Sequence, residues 1–290
     1  MENPYGHAPP AHPAPAVPPA LPPDPPELPE GADPRPRWPW WYGVVAFLAA
    51  LVATFLVGAV VIGVASVAGV DVEDPPPGLN LGLTAIQDAL FVAAALAFAS
   101  MTLRPRPWHF GFRRTRPWPA LGWATLGFFV FLGFSVFYSA ALGLDEEQTT
   151  LDDLGADEST FALVSGALLV IVLAPIVEEF FFRGFLYRTL RNSLPVWAAA
   201  LIAGLVFGLI HLPSGPEAVP SLAVLGVVFC LVYERTGSLY PVIALHAFNN
   251  MIAYMVGTEA YALSAALGAA MIAACVLVPR LAWRTAPALP

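Results

Sequence analysis

The chain has 290 residues, 58% of them hydrophobic and only 12% charged. Soluble domains carry roughly 25% charged residues, so this composition excludes a soluble globular protein and indicates a polytopic membrane protein. All 13 basic residues are arginine, and the net charge of -8 comes mostly from acids in loops, which offers no face for a nucleic-acid partner.

Residues 1–38 are expected to form a disordered, Pro-rich cytoplasmic tail, because 15 of the 31 prolines fall in the first 39 residues and little apolar surface accompanies them. The opening residues lack the apolar core of a cleavable signal. The transmembrane domain is expected over 39–285. Eight apolar stretches follow the tail, at about 41–68, 80–103, 120–143, 160–190, 195–212, 219–234, 239–257 and 261–279, each near the ~20 residues a spanning helix needs. The fold class is therefore all-α, a bundle of about eight transmembrane helices. The fourth stretch is long and contains Pro175, which predicts a kink or an extension past the membrane. Cys230 and Cys275 lie within apolar runs and read as small core residues.

The loops alternate in charge. Arg35 and Arg37, the set Arg104, Arg106, Arg113, Arg114 and Arg116, then Arg188 and Arg191, Arg235, and finally Arg280 and Arg284 occupy every second boundary. Asp71, Glu73 and Asp74, the acids from Asp145 to Glu158, Glu217 and Glu259 occupy the others. By the positive-inside rule the arginine side is cytoplasmic, so an integral protein of the cell membrane with both termini cytoplasmic is expected.

Three polar patterns interrupt the apolar helices: Glu178-Glu179-Phe180-Phe181-Phe182-Arg183, then Phe207-Gly208-Leu209-Ile210-His211, then His246-Ala247-Phe248-Asn249-Asn250. Ionisable groups within a bilayer are costly and mark function. Glu179 and Arg183 are four apart with the acid first, the order that favours an ion pair on a helix. Adjacent Glu178 points elsewhere and lacks a local partner, which suits it to act as a general base. The midpoint between Glu178 and His211 falls at Leu194-Pro195, so a reversal there brings carboxylate and imidazole to one level. Gly204 and Gly208 on the second arm permit close helix approach. His246 and Asn250 share a face. Phe207, one turn before His211, reads as a pocket wall, and Asp88 in the second stretch is a weaker functional candidate. Buried carboxylates and histidines also fit an ion- or proton-coupled transporter, and a non-catalytic membrane scaffold is a further alternative; no second copy of any motif supports the transporter.

Glu-Glu-x-x-x-Arg, Phe-x-x-x-His and His-x-x-x-Asn, in that order, resemble the CPBP family of intramembrane proteases, which includes CAAX prenyl endopeptidases and bacteriocin-processing proteins. The lead-in Glu234-Arg235-Thr236-Gly237-Ser238-Leu239-Tyr240-Pro241 adds to the likeness, which covers a core at about 160–257. The resemblance implies an intramembrane endopeptidase that cleaves a membrane-associated protein or peptide within the lipid bilayer. It implies that Glu178 and His211 activate water, that His246 and Asn250 stabilise the oxyanion, and that Glu179 and Arg183 support them. Family members are often called metalloproteases, and Glu178, His211 and His246 are the donors that would hold Zn²⁺. A metal-free mechanism is the other alternative, favoured by the lack of the HExxH pairing of soluble zinc proteases.

Overall fold

A computed structural model describes residues 37–144, 156 and 159–282, and every regular element among them is helical. The expected tail, apart from its last two residues, and the acids from Asp145 to Asp153 and at Asp157 and Glu158 lie outside the described residues. Eight principal helices are α1 (Trp40–Val67), α2 (Pro77–Ser100), α3 (Pro117–Leu142), α4 (Thr160–Arg191), α5 (Val196–Ile210), α6 (Ala218–Thr236), α7 (Leu239–Thr258) and α8 (Tyr261–Ala282). All but α5 are long and apolar enough to cross a membrane. At 15 residues, α5 rises ~22 Å, short of the ~30 Å hydrocarbon core. The fifth stretch forms a helix where expected, slightly shorter than its apolar run: its last helical residue is Ile210, and His211 follows at its C-terminal cap.

Local chemistry sets the boundaries. Proline occupies the first turn of α2 and of α3, where a missing N–H costs nothing. Ser159 caps α4 by accepting the Ala162 amide, and Ser238 caps α7 through the Tyr240 amide. The Ser238 hydroxyl also donates to the Arg113 carbonyl at 2.6 Å, which ties the start of α7 to the α2–α3 connection. That connection turns at Gly111, whose φ of 104° suits glycine, and a Cβ there would meet the Tyr233 hydroxyl at 2.5 Å.

The arginine-bearing segments meet at one end of the bundle. Trp38, the last residue of the expected tail, is fully buried there, with its indole N–H on the Ala99 carbonyl and its ring 5.1 Å from Phe110 and 5.2 Å from Phe185. Its own carbonyl accepts from Asn192. Arg191 pairs with Glu234 at 2.8 Å, and Tyr187 donates to the same carboxylate. Arg188 donates to the Tyr233 hydroxyl, which donates to the Phe110 carbonyl.

The core runs along α4. Phe181 and Phe182 are buried against Phe91 of α2 and Phe207 of α5, and Phe185 against Trp38. The chain reverses at Asn192–Pro195, and α5 returns antiparallel beside α4, placing the Phe182 and Phe207 rings 5.3 Å apart. The close approach at Gly204 and Gly208 is to α6 rather than α4. A Cβ on Gly208 would lie 2.6 Å from the Val219 carbonyl, and one on Gly226 would lie 2.8 Å from Gly204 Cα. Small residues let these backbones meet where no hydrophobic force drives helices together in lipid.

Around Pro175, α4 leaves α-helical register. Leu168–Leu173 and Phe180–Tyr187 are π-helical and flank an α-helical piece, Ala174–Glu179. Proline lacks an N–H and crowds the preceding turn, and a wider register relieves both constraints. In that register the Ala174 amide reaches Leu169, so the next amide in line would reach Val170, and Pro175 has none to offer. The side-chain amide of Asn250 donates to the Val170 carbonyl instead, at 2.9 Å.

Candidate active site

Arg183 is fully buried, and its environment explains how a membrane interior accommodates it. One terminal nitrogen donates to Glu179 Oε1 at 2.9 Å, forming the ion pair that the spacing of four predicts. The other donates to the Gly226 carbonyl at 3.1 Å. The guanidinium carbon sits 4.4 Å from the Phe207 ring centroid and 4.8 Å from that of Phe229, between two faces that attract a cation. Burying two charges is costly, and these contacts offset part of that cost; Arg183 Nε and Glu179 Oε2 have no hydrogen-bond partner among the described residues.

Glu179 Oε1 accepts a second hydrogen bond, from His246 Nδ1 at 2.8 Å. With Nδ1 engaged, the imidazole is held so that Nε2 points the other way. It faces Glu178, whose Oε2 lies 3.9 Å away. That oxygen is buried and has no hydrogen-bond partner among the described residues, although the Glu178 side chain as a whole is 18% exposed. The separation is too long for a direct hydrogen bond.

His211 completes the ring of aromatic contacts. Its Nδ1 meets the Phe207 carbonyl at 2.7 Å, the last turn of α5 holding the ring by its own backbone. Its centroid lies 4.8 Å from Phe207, and that of His246 lies 5.9 Å from the same ring, so both imidazoles touch one phenyl wall. Asn250, one turn beyond His246, spends one amide hydrogen on Val170, and its oxygen stands 3.4 Å from the Asn249 amide nitrogen. The structure thus brings Glu178, Glu179, Arg183, Phe207 and His246 together, sets His211 beside Phe207, and ties Asn250 to the π-helical turn of α4.

Asp88 of α2 is 5% exposed, and its Oδ2 has no hydrogen-bond partner among the described residues. Phe91, one turn later on the same buried stripe, packs edge-on to Phe181 at 4.7 Å. Three residues back along both helices stand Asp88 and Glu178, near enough to interact electrostatically. The Gly226 carbonyl, the Phe229 ring and the Val170 carbonyl escaped the sequence reading, because backbone acceptors and apolar rings carry no pattern of their own.

Among the described residues, no three His, Cys, Asp or Glu side chains group closely enough to hold a metal ion. Glu178, His211 and His246 as arranged do not fit the Zn²⁺ site weighed from the sequence.

The fold is that of a polytopic helical membrane protein, and comparison with known proteins relates the part that carries this polar cluster to membrane peptidases. The family model "Type II CAAX prenyl endopeptidase Rce1-like" matches residues 160–252. A relative in Bacillus subtilis (strain 168), "Putative membrane peptidase YdiL", is 24% identical over 147 residues. The match takes in 47% of this chain and 56% of that protein, so the chain spans little more than half of its relative's length. No solved structure matches. The segment 160–252, which carries all three motifs, is thus similar to that family.

Proposed function

We propose that the chain is an intramembrane endopeptidase of the CAAX type, hydrolysing a peptide bond in a membrane-associated protein or peptide at the level of Glu178. The observation that carries this reading is the unpartnered Glu178 Oε2, 3.9 Å from a histidine nitrogen whose ring is oriented by a second, charge-compensated carboxylate. A structural cluster needs one acid to neutralise Arg183, and Glu179 supplies it. Glu178 is left for chemistry.

In this mechanism water sits against Glu178, with His211 holding it from the other side. As its oxygen attacks the scissile carbonyl, Glu178 takes the proton and later delivers it to the departing amine nitrogen. His246, anchored through Nδ1 on Glu179, turns its Nε2 edge to the oxyanion. Asn250 has a second amide hydrogen for the same oxygen. Glu179 and Arg183 keep His246 in place.

The substrate is found by comparing host membranes carrying wild type with those carrying Glu178→Gln. Peptide fragments should be present with the wild type and absent with the variant, at equal protein levels. Identical fragment patterns from both would defeat the peptidase reading.

A further inference from the structure

Glu178 has an acidic neighbour that the proposed hydrolysis does not use. Asp88 stands midway along α2, roughly 17 Å from either end by the helix rise. Its residue is 5% exposed, and its Oδ2 has no hydrogen-bond partner among the described residues. An ionisable group at that depth is costly and by default marks a functional site.

The helices packed on α2 narrow the choice of partner. They are chiefly α1 and α4. The buried stripe of α1 is Tyr42, Gly43, Ala46 and Ala50. Its one titratable group, the Tyr42 phenol, lies at the arginine-bearing end, with its ring 5.7 Å from Phe98 and almost three turns from Asp88. Thr54, a turn past Ala50, has its own hydroxyl unpartnered among the described residues. On α4 no charged residue precedes Glu178, and Glu179 and Arg183 compensate each other. Tyr187, Arg188 and Arg191 engage Tyr233 and Glu234 at the arginine-bearing end. Glu178 remains. Both α2 and α4 run towards that end, and the Phe91 and Phe181 rings meet at 4.7 Å. Three residues back on each helix, Asp88 and Glu178 share one level and lie within electrostatic reach. Glu178 Oε2 is likewise buried and unpartnered. Two carboxyl groups so placed in low dielectric cannot both ionise, and one proton held between them satisfies both.

We propose that Asp88 is the positioning residue for Glu178, the two carboxyl groups sharing one proton that fixes the Glu178 side chain in the orientation that presents it to His246. The catalytic role rests on the peptidase reading, whereas the pairing does not. At rest the pair carries one negative charge. When Glu178 takes the proton of the attacking water, the shared proton stays with Asp88 and the charge passes to the oxyanion. It returns to the pair when Glu178 protonates the departing amine.

Infrared spectra of the full chain in lipid nanodiscs test the pairing without a substrate. A protonated carboxyl group has a carbonyl stretch that a carboxylate lacks. At neutral pH the wild type should show such a band and Asp88→Asn should lose it, because the amide then donates to an ionised Glu178. A wild-type-minus-variant spectrum without that band overturns the pairing. The peptide fragments that host membranes release with the wild type and not with Glu178→Gln supply the catalytic readout. Asp88→Leu fills the site and donates nothing. It should lower fragment yield about ten- to a hundredfold, the worth of one hydrogen bond to a charged group. Its thermal midpoint should be no lower than that of the wild type, since an apolar side chain replaces a buried acid. Asp88→Asn should restore most of the yield. Full yield from Asp88→Leu, equal losses from both variants, or a loss matched by a fallen midpoint overturns the positioning role. Identical fragments from the wild type and Glu178→Gln defeat the peptidase reading instead and the catalytic role with it, and the infrared band alone then decides the pairing.

Discussion

Glu179 Oε1 accepts from Arg183 at 2.9 Å and from His246 at 2.8 Å, so one carboxylate oxygen balances a buried cation and aims an imidazole. Its neighbour Glu178 does neither. The two acids should therefore respond differently to the same isosteric change. Glu179→Gln leaves Arg183 buried without a charged partner, and thermal unfolding of the purified protein should show a loss of about 3–5 kcal/mol. Glu178→Gln should unfold close to the wild-type midpoint. A Glu178→Gln protein that is markedly the less stable of the two would reverse the roles. Spacing alone paired Glu179 with Arg183. It could not show that His246, 67 residues further on, shares that oxygen, since only packing of α7 on α4 creates the contact.

At the scale of the element, the break in α4 is shared between two helices. Pro175 withholds an amide, the register widens on both sides, and Asn250 of α7 serves the Val170 carbonyl left over. Asn250→Ala should cost about 1–3 kcal/mol by stranding a buried acceptor. Pro175→Ala restores an amide in that position, so the loss from Asn250→Ala should shrink in the Pro175→Ala background. A double-mutant cycle measures this coupling, and strictly additive effects would sever the proposed link. The sequence placed a disturbance at Pro175 because proline chemistry is local. The π-helical turns and their distant donor depend on what α7 offers, so the sequence held no sign of them.

For the whole molecule, the arginine-bearing segments meet at the end where Trp38 is buried, and Glu234 there is neutralised by Arg191. By the positive-inside rule that end is expected in the cytoplasm. A reporter that is active only in the cytoplasm should work when fused at Phe110 and fail when fused at Asp74; the opposite pattern would invert the topology. Eight apolar stretches are all helices, but α5 alone falls short of the length that crosses a membrane, so an apolar run does not give a helix length. Run length in sequence includes the turn at His211 and Leu212, which only the folded chain separates from the helix.

Composition alone made this a helical membrane protein, because a bilayer requires apolar side chains and internally satisfied backbones. Intervals of four settled the Glu179–Arg183 pair and the common face of His246 and Asn250, because helix geometry is local. Tertiary structure decided how the motifs address one another. It set His246 3.9 Å from Glu178, clasped Arg183 between Phe207 and Phe229, and brought Asp88 within electrostatic reach of Glu178. Those contacts join residues from separate helices, and their distances depend on packing at positions such as Gly204 and Gly226, where backbones meet without a side chain to announce it.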